Sequence, residues 1–502
     1  MDLPEGVIAA VDGAIQFVYS FEGLAEKTVI LVPEIVHTQV AVAAESIGMP
    51  IETVAYVFGM FACYPLAIIM SAVPYGMPRH IFSFLLGAFL LQFTLGVQWI
   101  HHLITCLVAY GMILVLPRKS LKTALPLFVM TYMTLGHLHR QYINYLGWDL
   151  DFTGTQMVLT QKLYMIGYNL YDGEVLAKGN TSDRAAKKCS KYALKEAPGL
   201  LEFLGYGFCF SSLLAGPAYE YATYLRAIDG SVFLKPDGTR GNIPSNVMPT
   251  LKAFLTSLVC MAIHVVLGGM FPLLDTTDPQ HNTPVFLTQT FLEYSWPYRY
   301  FYMWVGLFAT REKYYFAWKN AEGAQNLWYA GFDGVDEKGE PLGWTTANNV
   351  DILGMELAPS VQMMTRDWNK KTSDWLTRYV YMRTGGSLLA VYSLSAFWHG
   401  FYPGYYLFFL SVPIATFCDR LAKKKLGPLF SESRFSLYGL AGTLGTSITV
   451  NYMIIPFIML AGGWSWDAWK ANYFFGHIGC VVFYSVLSML PTPPKKDKPK
   501  TS

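Results

Sequence analysis

The sequence predicts an all-α, polytopic membrane protein, and three observations carry that expectation. Charged residues make up 14% of the 502-residue chain and hydrophobic residues 53%, where an ordinary soluble domain is about one quarter charged. Apolar runs long enough to cross a bilayer recur from residue 53 to residue 490. Several of the segments between them are short or carry clustered lysines and arginines, as the loops of a membrane bundle do. A net charge of +2 gives no footing for a nucleic-acid partner. The seven cysteines are scattered without a C-x-x-C pair, so they read as small apolar residues rather than a disulfide frame or a zinc site.

Taken in order, residues 1–50 mix apolar and polar character. Val29-Ile30-Leu31-Val32 is interrupted by Pro33, Glu34 and His37, which suits an amphipathic or interfacial segment. Met1-Asp2-Leu3-Pro4-Glu5 lacks a basic start and a cleavage site, so no removable signal peptide is expected. Spans are expected at 53–75, 80–96, 98–116 and 122–141, with Arg118, Lys119 and Lys122 placing the last turn in the cytosol. Segment 142–175 is too polar to face lipid, with Asp149, Asp151, Gln156, Lys162, Asn169 and Asp172. At membrane depth it must face protein or a water-filled cavity. Residues 176–197 form a basic loop, in which Asn180-Thr181-Ser182 is a sequon left unused on the cytosolic side.

Further spans are expected at 201–217, 251–275 and 288–309, followed by a long Gly-rich loop over 311–365 that should be functional rather than spanning. The last four are expected at 385–399, 402–419, 437–461 and 471–490. The basic tail 491–502, with Lys495, Lys496, Lys498 and Lys500, is expected in the cytosol. Its last lysines suit either a di-lysine retrieval signal of the endoplasmic reticulum or a solubilising tail on anionic lipid. The expected division is therefore an N-terminal segment (1–50), a transmembrane domain (51–490) and the tail (491–502).

The chemistry concentrates between Thr365 and Leu410. His399 stands between two apolar segments, where an ionisable group is a functional-site candidate, and imidazole exchanges a proton near neutral pH. The alternative is a histidine satisfied by its neighbours inside a bundle. Asn369 lies 30 residues upstream, across the Gly385-Gly386 break. An imidazole can take the proton of an alcohol attacking a thioester, and a carboxamide can steady the oxyanion or hold the nucleophile; a capping asparagine is the alternative. Gly400, Pro403 and Gly404 should break the helix after the histidine, and Trp398, Tyr402, Tyr405 and Tyr406 offer apolar walls for an acyl chain or an ordinary aromatic belt. His101-His102 and His137-x-His139 lack the spacing of a di-iron oxidase. No G-x-S-x-G, P-loop or H-E-x-x-H is present. Arg311-Glu312-Lys313-Tyr314-Tyr315-x-x-Trp318 offers cations for a phosphate, or a juxtamembrane anchor.

Ser395-Ala396-Phe397-Trp398-His399-Gly400-x-x-Pro403-Gly404-Tyr405 closely resembles a signature of the membrane-bound O-acyltransferase family. Trp368-Asn369, Trp375-Leu376 and Tyr379-Val380-Tyr381-x-Arg383 are similar to its second signature. Arg311-x-Lys313-Tyr314-Tyr315-x-x-Trp318, Gly216-Pro217-x-x-Glu220-Tyr221, Asp151-x-Thr153-Gly154-x-Gln156-Met157 and Tyr171-Asp172-Gly173 look like the lysophospholipid acyltransferase branch. The likeness runs from about residue 45 to the last helix and is weakest over the first fifty residues.

The resemblance implies about eleven transmembrane helices, with re-entrant or amphipathic helices, enclosing a reaction chamber in the endoplasmic-reticulum membrane. It implies acyl-CoA as co-substrate without a further cofactor or metal, and a lysophospholipid acceptor, with lysophosphatidylcholine first and the ethanolamine and serine forms behind it. His399 and Asn369 are then catalytic, and Trp398, Tyr405, Arg311, Lys313, Tyr314, Trp318, Glu220, Tyr221 and Trp368 are candidates to line the substrate path. An ordinary histidine titrates near ~6.5, so activity is expected to fall in mild acid. The competing expectations are the same chemistry on diacylglycerol, a sterol or a protein, and a transporter or scaffold without chemistry.

Overall fold

The computed structural model describes residues 5–28, 34–147, 149–179, 182–275, 283–430 and 436–493. Among them there is no strand, only three isolated β-bridges between neighbouring turns, and the remaining order is helical. The apolar run at 29–32, the sequon residues Asn180 and Thr181, and the lysines of the tail lie outside the described residues. The chain forms two compact units. One comprises Met1–Val259, Phe316–Asn349 and Asp374–Leu388; the other comprises Cys260–Tyr315, Val350–Ser373 and Leu389–Ser502.

In the first unit the polar segment read from the sequence becomes the Phe152–Ala177 helix, whose start is capped by Asp151 accepting from the Thr153 N–H at 3.0 Å. It packs along the Arg118–Ile143 helix, and Gln156, Lys162, Asn169 and Asp172 are all buried. Protein groups bond each of the four side chains, as an apolar surround requires, although Gln156 Oε1 has no partner among the described residues. Gln156 Nε2 donates to Thr105 Oγ1 at 3.0 Å, and Lys162 Nζ donates to the Tyr206 carbonyl at 3.1 Å and Ser212 Oγ at 3.0 Å. The first fifty residues contribute two helices, Glu5–Thr28 and Glu34–Ile47. The second seats Val40 and Ala44 against Val54 and Ala55 of the Ile51–Ala72 helix.

Two expected spans come out differently. Over 201–217 the helix stops after eight residues, Leu200–Gly207, and a four-residue turn, Phe210–Leu213, follows. A side chain at Gly205 would meet the His80 carbonyl at 2.7 Å, so glycine there permits a close crossing, and Gly216 at φ +79° before Pro217 prevents the helix from resuming. Conversely, the span expected at 288–309 begins late and runs on as Trp296–Leu327, 32 residues long. The first third of the loop expected over 311–365 is therefore helix. Four helices among the described residues are long and apolar enough to cross a membrane: Ile51–Ala72, Met77–Val115, Val247–Met270 and Leu437–Met459. A fifth arises if Gly462–Ala471 and Phe475–Met489, bent by 66°, form one span. Met77–Val115 covers two of the eleven expected spans, and two more of them fall on Arg118–Ile143 and Pro403–Lys425, helices of 26 and 23 residues with charge at one end.

The second unit is built around the Pro403–Lys425 helix. It packs against Ile455–Met459, Phe475–Met489 and Val361–Asp367. Its core includes Met303, Leu307, Val412, Ala415, Tyr452, Ile455 and Trp469. Inside that core His477 is bonded on both ring nitrogens, to Ser411 Oγ at 3.1 Å and to Tyr452 Oη at 2.8 Å.

Candidate active site

His399 is the last residue of the Leu388–His399 helix. Gly400, at φ +119°, ends that helix in a conformation that side chains rarely adopt, while its N–H still reaches the carbonyls of Ala396 and Phe397 at 3.2 Å each. Pro403 then opens the next helix, with Tyr402 as its extended N-cap residue. The break expected from Gly400 and Pro403 is therefore where the sequence put it. Gly404 has a second task. Its N–H donates to the Leu460 carbonyl at 2.8 Å, and a Cβ there would stand 2.0 Å from the Pro456 carbonyl. Glycine thus lets the Ile455–Met459 turn press onto the start of the helix.

That approach completes an aromatic surround. The Phe457 ring meets the His399 ring edge-on at 4.9 Å, Phe409 stacks on it at 5.4 Å and Tyr405 lies tilted at 5.6 Å. Trp398 is buried beside it at 4.7 Å. The imidazole is itself only half-buried, so apolar packing fixes the ring without sealing it.

Asn369 occupies a different kind of place in the same unit. It is the joint between two short helices, Val361–Asp367 and Lys370–Leu376, at φ +44°. Asparagine tolerates this left-handed conformation better than most residues. The Trp368 N–H closes the first helix onto the Met364 carbonyl at 3.0 Å, and the Asn369 carbonyl opens the second by accepting from Ser373 N–H at 3.0 Å. The Trp368 ring lies between Tyr314 and Tyr315, 5.8 Å from each in edge-to-face contact.

Arg311 departs from the expectation that its cation faces a phosphate. It is buried, bonded to both oxygens of Glu356 at 2.8 and 2.9 Å, and bonded to Asn451 Oδ1 at 2.7 Å. Tyr315 Oη donates to the same Glu356 carboxylate at 2.7 Å. A buried guanidinium needs such partners, and here the protein supplies them. Lys313 is exposed, with its Nζ 5.5 Å above the Tyr314 ring.

Glu220, Tyr221 and Trp318 belong to the first unit. Glu220 is 2% exposed and accepts from Asn169 Nδ2 at 2.8 Å, Tyr379 Oη at 2.8 Å and Arg378 Nη1 at 3.2 Å. Tyr379 belongs to a π-helical turn, Thr377–Tyr381, a form that often marks functional places. Arg383, two residues beyond that turn, holds Asp172 through both carboxylate oxygens at 3.0 and 2.5 Å. The motifs singled out around Asp172, Glu220 and Arg383 therefore meet as one set of buried ion pairs. Tyr221 Oη reaches Glu202 at 3.4 Å, and Trp318 is buried.

Sequence reasoning missed Phe409, Phe457, Glu356 and Asn451. Phe409 was within reach, four residues after Tyr405 on the same helix face. Phe457 and Asn451 come from remote helices, and Glu356 from a stretch read as undivided loop, so no local signal marked them.

Residues 123–425 match the membrane-bound O-acyltransferase (MBOAT) family, a span that includes every candidate the sequence offered but not Asn451 or Phe457. The chain is similar to the mouse membrane-bound glycerophospholipid O-acyltransferase 2, at 30% identity over 84% of this chain and 80% of that protein. It is similar to lysophospholipid acyltransferase 1 of Arabidopsis thaliana at 29% identity over 91% and 98%. A lysophospholipid acyltransferase of Schizosaccharomyces pombe matches at 27% over 88% and 87%.

Proposed function

The chain belongs to the membrane-bound O-acyltransferase family, and from that premise we propose that it is an acyl-CoA-dependent lysophospholipid acyltransferase of phospholipid remodelling. It is a multi-pass membrane protein and an acyltransferase acting on lipid. The acceptor is a lysophospholipid, in keeping with the names of the relatives, and within that class the proposal puts lysophosphatidylcholine before the ethanolamine and serine forms. The membrane is that of the endoplasmic reticulum, with the basic tail in the cytosol.

The observation that carries the mechanism is the half-buried His399 ring, fixed by three aromatic side chains at a helix end opened by Gly400. The imidazole takes the proton of the free glycerol hydroxyl as its oxygen attacks the thioester carbonyl. The Asn369 carboxamide donates a hydrogen bond to the oxyanion or orients the acceptor. Collapse of the tetrahedral intermediate breaks the carbon–sulfur bond, and the imidazolium returns its proton to the thiolate, giving phospholipid and free CoA. Neither an acyl-enzyme nor a metal enters these steps. Trp398 and Tyr405 wall the acyl chain, and Lys313, Tyr314 and Trp368 face the substrate path. Because the base works only when deprotonated, the rate falls as acid protonates it.

The test supplies labelled oleoyl-CoA to membranes containing the protein, with lysophospholipids of several headgroups, diacylglycerol and a sterol offered separately. Labelled phospholipid is expected, most from lysophosphatidylcholine. Product confined to diacylglycerol or sterol would replace the acceptor, and absence of product from every acceptor would overturn the reading.

A further inference from the structure

We propose that Glu356 is a positioning residue for acyl transfer, acting through Arg311, Tyr315 and Trp368 on the turn that carries Asn369. The proposal rests on the reading of Asn369 as the partner of His399. Its physical basis is a chain of directional contacts within one compact unit. The Glu356 carboxylate accepts three hydrogen bonds: Arg311 Nε at 2.8 Å, Arg311 Nη2 at 2.9 Å and Tyr315 Oη at 2.7 Å. A forked guanidinium on one carboxylate fixes both planes. Arg311 extends the hold to a further helix through Asn451 Oδ1 at 2.7 Å, and Asn451 Nδ2 is itself bonded to the Ser447 carbonyl at 2.8 Å.

Tyr315 is fully buried and tied at its hydroxyl, so its ring has one orientation. That ring and the neighbouring Tyr314 ring both meet the Trp368 indole edge-on at 5.8 Å. Trp368 immediately precedes Asn369, whose left-handed φ of +44° has no glycine to ease it. The indole therefore sets where the turn begins, and the carboxylate sets the indole. Arg311 is buried and Glu356 half-buried, and an ion pair so far withdrawn from water contributes little net stability over apolar packing of the same volume, whereas its geometry is directional. Positioning accounts for the arrangement better than stability does.

The experiment compares purified full-length wild type with Tyr315→Phe, the double variant Arg311→Met/Glu356→Leu, and Asn369→Gly, reading kcat, KM for both substrates and thermal midpoint. Tyr315→Phe keeps the ring but loses the bond to Glu356, and the double variant removes both charges together. Both are expected to melt near the wild type, to keep KM within about twofold and to lose about tenfold or more in kcat, as misplacement of a reacting group does. Wild-type kcat in Tyr315→Phe or in the double variant overturns the proposal while leaving Asn369 in place if Asn369→Gly is slow. Undiminished kcat in Asn369→Gly defeats instead the reading on which the proposal rests.

Discussion

His399 and Asn369 belong to one compact unit and are held by opposite means. The histidine is fixed by shape: a helix end at Gly400 and the rings of Tyr405, Phe409 and Phe457, with Gly404 admitting the backbone that carries Phe457. The asparagine is fixed by a strained joint and by Trp368, which leans on Tyr315, itself tied to the half-buried Glu356 carboxylate. Packing of the first kind is non-directional and tolerates substitutions that conserve volume. The second kind is directional, and it fails sharply when one partner is lost. A proton carrier needs a defined position and freedom to exchange its proton, which an aromatic surround allows. A hydrogen-bond donor aimed at a developing charge needs its direction fixed.

That contrast predicts unequal responses. The largest combined loss of rate and stability is expected at Gly404→Ala, where the added carbon stands 2.0 Å from a backbone oxygen and no side chain can give way. The Ile455–Met459 turn must move and take Phe457 with it. Acyl transfer should drop by about 100-fold, with stability lowered by roughly 1–3 kcal/mol in a thermal melt. Arg311→Met alone comes next. It leaves the half-buried Glu356 carboxylate with Tyr315 as its remaining partner among the described residues, and about 1–3 kcal/mol of stability should go with the lost bonds. Replacing Glu356 as well should return most of that loss in the same melt.

Asn369→Gly is expected to leave the fold intact, because glycine takes φ +44° without strain, yet to slow the reaction by about 100-fold or more through the missing carboxamide. Asn369→Ala should be equally slow and also less stable, by roughly 1–2 kcal/mol for the left-handed backbone. Equal stability of the two variants would show that the joint is relaxed rather than strained. The smallest effect belongs to Phe409→Leu, which keeps an apolar wall beside His399 and should cost about twofold to fivefold in rate, read by the same transfer assay.

The sequence made the fold class legible because composition and run length report the solvent of a chain directly. The buried helix Phe152–Ala177 was legible for the converse reason: polar residues as dense as Gln156, Lys162, Asn169 and Asp172 cannot face lipid. Span boundaries were less legible, since an apolar run does not show where a helix stops or runs on, as at 201–217 and 288–309. The stop at Gly207 and the run-on to Leu327 were hidden because they depend on what crosses Gly205 and on what packs beyond residue 309. Within the site, the helix break after His399 was readable from Gly400 and Pro403, whereas the roles proposed for His399 and Asn369 come from the resemblance rather than from spacing. The partner of Arg311 was not readable, because a cation in sequence looks the same whether a phosphate or Glu356 answers it.

The most direct test of the central claim compares wild type with His399→Ala, matched for folded protein in the same membranes, given labelled oleoyl-CoA and lysophosphatidylcholine. The account predicts labelled phospholipid from the wild type and a loss of about 10²–10⁴-fold in His399→Ala, the contribution of a general base. Equal product from both, above membranes lacking the protein, would contradict it and leave His399 a packing residue.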